Sequence, residues 1–200
     1  EGLERLRAKV FSSEQPLRAA VRYAIAGNIL DFAALRNGIN HSLLQSLIMA
    51  DQQELDEDSL ELLEARLNQA GSVLIIGDNA GETVFDALLI ETIARFYPGR
   101  AVSYGVKSLP VINDATREDA CAAGIEPLAR IVPNGTDAPG TLLEQCSAEF
   151  REVFEQADLV IAKGQANYES LGDCGREVFF LTQIKCPVIA RLTGHELWQW

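Results

Sequence analysis

Histidine is scarce in this chain: His41 and His195 are the two, and they stand far apart in sequence. Chemistry that depends on imidazole is therefore poorly supplied, and carboxylates and amides have to be considered in its place. Positive charge is short as well. Seventeen Lys and Arg face 29 Asp and Glu, for a net charge of −12, which argues against a nucleic-acid footprint and against binding to anionic membrane surfaces. No apolar run reaches the roughly 20 residues of a membrane span. The four cysteines, Cys121, Cys146, Cys174 and Cys186, form no C-x-x-C pair, so neither a zinc knuckle nor a redox motif is indicated. Reduced thiols in a cytoplasmic protein are the simplest reading. No signal peptide is visible, although a chain that begins at Glu1 without Met reads as a fragment or a trimmed protein, which weakens that point.

Several catalytic signatures are missing too. There is no G-x-x-x-x-G-K-[ST] loop, which speaks against a P-loop nucleotidase. No G-x-G-x-x-G follows a strand, and no G-x-S-x-G elbow occurs.

What is present is an ordinary globular composition, 48% hydrophobic over 200 residues, enough for one domain or a main domain with a small appendage. Residues 1–70 are helical in character. Leu3, Leu6 and Val10 suggest a first amphipathic helix. Pro16 suits the first turn of a second, with Leu17, Ala20, Val21, Ala24 and Ile25 on its inner face, and Gly27 reads as its end. Ser42–Met49 and Leu60–Leu67 suggest two more, the latter started by the acidic Asp56–Asp58 and Ser59. From residue 71 to 200 strands and helices alternate. Strands are expected at 73–76, 101–106, 129–132, 159–162 and 178–181, and helices at about 82–97, up to Ala123, at 142–156 and at 187–192. Such alternation builds an α/β fold, a largely parallel, Rossmann-like sheet flanked by helices behind a helical N-terminal part.

One stretch organises this pattern. Val73–Ile76 is a short buried strand, Gly77-Asp78-Asn79-Ala80-Gly81-Glu82 a tight turn, and Val84, Phe85, Leu88, Leu89, Ile93 and Phe96 recur at helical spacing. Ligands of open α/β sheets bind beyond the carboxyl ends of the strands. Asp78 and Asn79 stand there with oxygen ligands for a hard cation, and the helix start near Gly81 offers N–H groups to an anion. The bland reading is turn and N-cap chemistry. Two further polar clusters, Asn113-Asp114-Ala115-Thr116 and Lys163-Gly164-Gln165-Ala166-Asn167, fall at strand ends on the same rim. The inventory is oxygen-rich and histidine-poor, and suits Mg²⁺ or Mn²⁺ better than zinc or copper. Lys163 supplies a point charge for a phosphate oxygen. Metal, lysine and helix N-terminus around one anion are the equipment of phosphoryl transfer or hydrolysis. Ala80 stands two residues after Asp78, where a phospho-aspartate phosphatase often has a second acid, and so favours metal-activated water. Glu82 and Asp86, four apart, share a helix face and read either as carboxylates behind the site or, slightly ahead, as the polar side of an amphipathic helix. Asn28 and Asp31 read from the residues alone as a turn with an N-cap.

These motifs resemble those of the metal-dependent damage-control phosphatases, a family first defined as a domain of unknown function. The resemblance rests on Asp78-Asn79-Ala80-Gly81-Glu82 with Val84-Phe85-Asp86, on Val106-Lys107 with Pro110–Thr116, and on Ala162-Lys163-Gly164-Gln165 with Asn167-Tyr168. Ala26–Phe32 and Lys185-Cys186-Pro187-Val188 add to it, in the family's order from about residue 16 to 192. It implies a divalent metal, Mn²⁺ or Mg²⁺ with Co²⁺ or Ni²⁺ as further candidates, on Asp78, Asn79 and Asp114, with Asp78, Asp114 and Lys163 in catalytic roles. It also implies substrate contacts by Asn28, Asp31, Gly81, Glu82, Lys163 and Asn167. That reverses the turn reading of Asn28 and Asp31, which it brings to the rim of the pocket. The implied substrate is a small phosphorylated metabolite, a sugar phosphate first of all. The alternatives are a carboxyl methyltransferase, which the absent glycine-rich cofactor loop disfavours, and a non-catalytic metabolite-binding protein. Two departures stand out. Family members usually carry more chain before this region, and they continue after the Lys-Cys-Pro segment with a strand that Glu196–Trp200 does not resemble. Both point to a fragment or a short divergent member.

Overall fold

Val73–Ile76 is apolar at every position because both faces of the strand it forms are covered. The computed structural model describes residues 2–37 (side chains for 3–27), 55–184, 187, 190 and 191. In it, β1 (Ser72–Ile76) is the middle strand of five, joined by β2 (Ala101–Val106), β3 (Arg130–Pro133), β4 (Leu159–Lys163) and β5 (Phe179–Leu181) in the order β3-β2-β1-β4-β5. Every pairing is parallel. Val73 and Ile75 pack with Tyr104, Ile161 and Leu181 on one face, while Leu74 and Ile76 pack with Val132, Val160 and Ala162 on the other. That two-sided burial is what makes the strands read as continuous hydrophobic runs.

The first face is covered by α1 (Gly2–Phe11), α2 (Pro16–Asn37), α3 (Glu57–Gln69) and α4 (Thr83–Phe96), which bury Val10, Val21, Leu63, Leu67, Leu88 and Leu89 in one cluster with the sheet. Later in the described chain come α5 (Arg117–Ala122), α6 (Ala148–Gln156) and α7 (Gln165–Leu171). Phe150 and Phe154 of α6 and Leu171 of α7 cover the second face. Thr116 starts α5 through a reciprocal capping box with Asp119, satisfying two N–H groups that a helix start otherwise leaves open. None of the described helices is long and apolar enough to cross a membrane. Cys121, Cys146 and Cys174 are free thiols.

Two sequence expectations need correction. Gly27 does not end the second helix, which runs on to Asn37. A Cβ on Gly27 would stand 2.9 Å from Cδ2 of Phe85, so the glycine serves close packing of α2 on α4. The helix expected over 142–156 is broken. A 3-10 turn at Leu143–Gln145 ends before Ser147, whose hydroxyl accepts from Phe150 N and starts α6 afresh. The segment after Lys163, to which the sequence reading assigned no element, is helical, since α7 begins at Gln165 directly behind Gly164. The helix expected at Ser42–Met49 lies outside the described residues. Of the one expected at 187–192, Pro187, Ala190 and Arg191 are described, and they are helical.

Candidate metal and phosphate site

β1 and β4 are neighbours at the middle of the sheet, and the chain leaves them toward opposite faces, from β1 into α4 and from β4 into α7. Such a switch point opens a crevice at the strand ends. Asp78, Asn79, Lys163 and Gly164 follow or close these two strands.

Backbone bonds stitch the β1 turn to the loop after β2. Ala115 N donates to Asp78 O at 2.7 Å and Ala80 N donates to Asn113 O at 2.8 Å, with Asn79 and Asp114 forming an isolated antiparallel bridge. The two clusters that hold Asp78, Asn79 and Asp114 are thereby brought together. Asn79 Nδ2 donates to Asp78 Oδ2 at 3.1 Å and to Glu82 Oε1 at 2.6 Å. With both amide hydrogens directed at carboxylates, its Oδ1 is the atom left to face a cation. Asp114 is partly buried, and desolvation pushes its carboxyl above the usual range against the pull of Lys107, whose Nζ lies 3.5 Å from Asp114 Oδ2. Lys107 Nζ also donates to the carbonyls of Ala138, at 2.6 Å, and Gly140, so it ties the 137–141 loop to the same place. Gly164 adopts φ +79°, and a Cβ there would fall 1.9 Å from Asp78 Oδ2. The Asp78 carboxylate therefore lies directly against the turn that starts α7.

Lys163, expected from the sequence to face a phosphate oxygen, is paired inside the protein. The residue is fully buried, and its Nζ is 2.7 Å from Glu82 Oε2 and 2.7 Å from Asp86 Oδ1. Burial opposes its charge, but the two carboxylates outweigh that and hold the ammonium above its ordinary range. Glu82 and Asp86 are equally buried, so neither belongs to an exposed polar helix side, and Glu82 is enclosed rather than turned to a substrate. Tyr104 donates its hydroxyl to Asp86 Oδ2 at 2.7 Å. Burial raises the Asp86 carboxyl, with Lys163 pulling the other way. Asn167 is likewise spent inside the protein. Its Nδ2 donates to the carbonyls of Gly77, at 3.1 Å, and Lys163, at 2.8 Å, while its Oδ1 accepts from Thr141 Oγ1 at 2.7 Å. Gly81 is exposed at the turn. Asn28 and Asp31 lie on α2, which packs against the Ala80–Glu82 turn; their side chains are outside the described residues.

The donor set fits a hard divalent cation. Among the described residues no three His, Cys, Asp or Glu side chains gather as a metal site; a cation here would need the amide oxygen of Asn79 beside the carboxylates of Asp78 and Asp114. Asp78, Glu82 and Asp86 are linked through Asn79 and Lys163, whose ammonium is the one positive charge in that chain of bonds. An apolar hollow of about 360 Å³ lined by Ile25, Leu63 and Phe179 contains none of these groups. Tyr104 and Lys107 were given no role by the sequence. Lys107 follows β2 as Lys163 closes β4, so the strand-end rule could have found it, whereas Tyr104 carries no such signal.

A sequence model described as the damage-control phosphatase ARMT1-like domain matches residues 1–198. A damage-control phosphatase of Pyrococcus horikoshii is 39% identical over 179 residues, covering 86% of this chain and 59% of the relative. One of Archaeoglobus fulgidus is 33% identical over 92% of this chain and 64% of its own. An uncharacterized protein of Methanocaldococcus jannaschii is 37% identical over 96% of this chain and 60% of its own. This chain thus spans about three fifths of the curated relatives' length. The crystal structure of a DUF89 family protein from Pyrococcus horikoshii superposes with a TM-score of 0.82 at 35% identity, over 100% of this chain and 70% of that one. With a family match over nearly its whole length and the same fold in a solved relative, the chain belongs to the damage-control phosphatase ARMT1-like family.

Proposed function

We propose that this chain carries the catalytic site of a divalent-metal-dependent phosphatase acting on small phosphorylated metabolites, with sugar phosphates as the first class to test. The observation that carries the reading is the bridge between Asn79 and Asp114, which joins an all-oxygen donor set, Asp78, Asn79 and Asp114, at the switch point of the sheet. Family membership supports the same reaction class. Mn²⁺ or Mg²⁺ held there would supply positive charge to the phosphoryl group and lower the pKa of a bound water. The protein's own part is positional. Asp78 and Asp114 fix two anionic ligands on loops that the backbone ties together, which limits reorganisation during reaction. Lys107 holds Asp114 and the 137–141 loop in register. Gly81 is exposed at the turn, and its N–H would suit a phosphoryl oxygen. Lys163 does not take the phosphate in this account, since its ammonium is neutralised inside the protein.

The test is phosphate release from a panel of sugar phosphates with Mn²⁺, with Mg²⁺ and with excess chelator. Metal-dependent release from at least one sugar phosphate supports the reading. Release that is unchanged in chelator contradicts it.

A further inference from the structure

Asn79 can serve as a metal ligand only through Oδ1, yet an amide side chain in a polar site has two orientations that differ by a flip. Something must hold the NH₂ away from the metal. The structure supplies one such acceptor in the fully buried Glu82, whose Oε1 accepts from Asn79 Nδ2 at 2.6 Å. The other oxygen of Glu82, Oε2, accepts from Lys163 Nζ at 2.7 Å. Lys163 in turn is anchored by Asp86, and Asp86 by Tyr104. The chain Tyr104–Asp86–Lys163–Glu82–Asn79 runs from β2 through α4 and β4 to the β1 turn with each donor facing an acceptor.

We infer that Glu82, held by Lys163, is a positioning residue that locks the Asn79 amide with its oxygen toward the metal. The inference rests on the metal reading of Asp78, Asn79 and Asp114. Its specific content lies in the chemistry of Glu82→Gln. The carboxylate offers two acceptor oxygens, whereas the amide that replaces it offers one. The ammonium of Lys163 is the stronger donor and takes that single carbonyl oxygen. The NH₂ of the introduced amide then faces Asn79, whose own amide must turn its oxygen inward and its NH₂ toward the metal. The substitution keeps the shape of the side chain, and the thermal midpoint reports whether the fold is retained.

The experiment is Mn²⁺ titration by calorimetry, without substrate, on the wild type, Asp78→Asn, Glu82→Gln and Lys163→Met, each with its thermal midpoint. The wild type binds, Asp78→Asn loses binding, and Glu82→Gln weakens it about tenfold to a hundredfold, as changes behind metal ligands typically do, at a near-native midpoint. Glu82→Gln that binds Mn²⁺ as the wild type does, while Asp78→Asn does not, overturns the inference and leaves the metal site standing. Failure of the wild type to bind, or wild-type binding by Asp78→Asn, overturns both. Lys163→Met that keeps wild-type Mn²⁺ affinity at a near-native midpoint would show that Lys163 does not hold the lock, and also overturn the inference. A readout on the unaltered protein guards against misfolded variants. The Asn79 side-chain amide protons should be protected from hydrogen exchange in the metal-free wild type, and rapid exchange would contradict the lock.

Discussion

Gly164 leaves empty the space that the Asp78 carboxylate fills: a Cβ on Gly164 would lie 1.9 Å from Asp78 Oδ2. The glycine also has φ +79°, which L side chains rarely adopt. Gly164→Ala should therefore displace Asp78 and strain the turn, with a stability loss of about 1–3 kcal/mol and a larger proportional loss of metal affinity. Chemical denaturation together with Mn²⁺ titration checks this. Unchanged metal affinity would show that Asp78 does not depend on that contact.

Lys107→Met should loosen the 137–141 loop. It strips the donor from two carbonyls, those of Ala138 and Gly140, and from Asp114. Leaving buried acceptors unpaired costs about 1–3 kcal/mol. Limited proteolysis should show new cleavage near Asp137, and an unchanged pattern would count against the clamp.

Gly27→Ala sets two effects against each other. Alanine is favoured over glycine in a helix interior by about 1 kcal/mol, but the added Cβ meets Phe85 at 2.9 Å, and overpacking costs about 1–3 kcal/mol. Phe85 is buried and has little room to yield, so the variant should be less stable by up to about 2 kcal/mol. Adding Phe85→Leu should recover part of the loss, and a double-mutant cycle in urea would measure the coupling.

The outcome at Gly27 shows where sequence reading ran out. Strand β1 was legible because full burial leaves an unbroken apolar run from Val73 to Ile76. The bridge of Asn79 to Asp114 was legible in outline, since both follow strand ends on one rim. What glycine does at 27 depends on Phe85, which is remote in sequence. The burial of Glu82 and Asp86 depends on Lys163, which β4 brings beside β1. The spacing of Glu82 and Asp86 showed that they share a face, but not that the face meets a lysine. α7 escaped notice because it is one short helix entered through a left-handed glycine, with polar Gln165, Asn167 and Glu169 in place of an apolar stripe.

Asp158 caps the start of β1. Its Oδ2 accepts from Ser72 Oγ at 3.0 Å and from the N–H groups of Gly71 and Ser72, both at 2.9 Å. These bonds, the Ser72 hydroxyl first, hold its carboxyl below the ordinary value. The unfolded chain, with an Asp pKa of about 3.9, then binds the proton first as pH falls. The contribution is complete above that value and is lost as pH drops through the lower folded pKa. Asp158→Asn should flatten this part of the acid limb of a stability–pH curve, and an acid limb identical to the wild type's would exclude the cap.

The most direct measurement is steady-state phosphate release from the best sugar phosphate, at saturating Mn²⁺, by the wild type and by Asp78→Asn and Asp114→Asn with matched thermal midpoints. The account predicts that both variants lose at least about a hundredfold in turnover, the scale of about 2.7 kcal/mol or more for a lost electrostatic group in a catalytic site. Either variant turning over at the wild-type rate would contradict it.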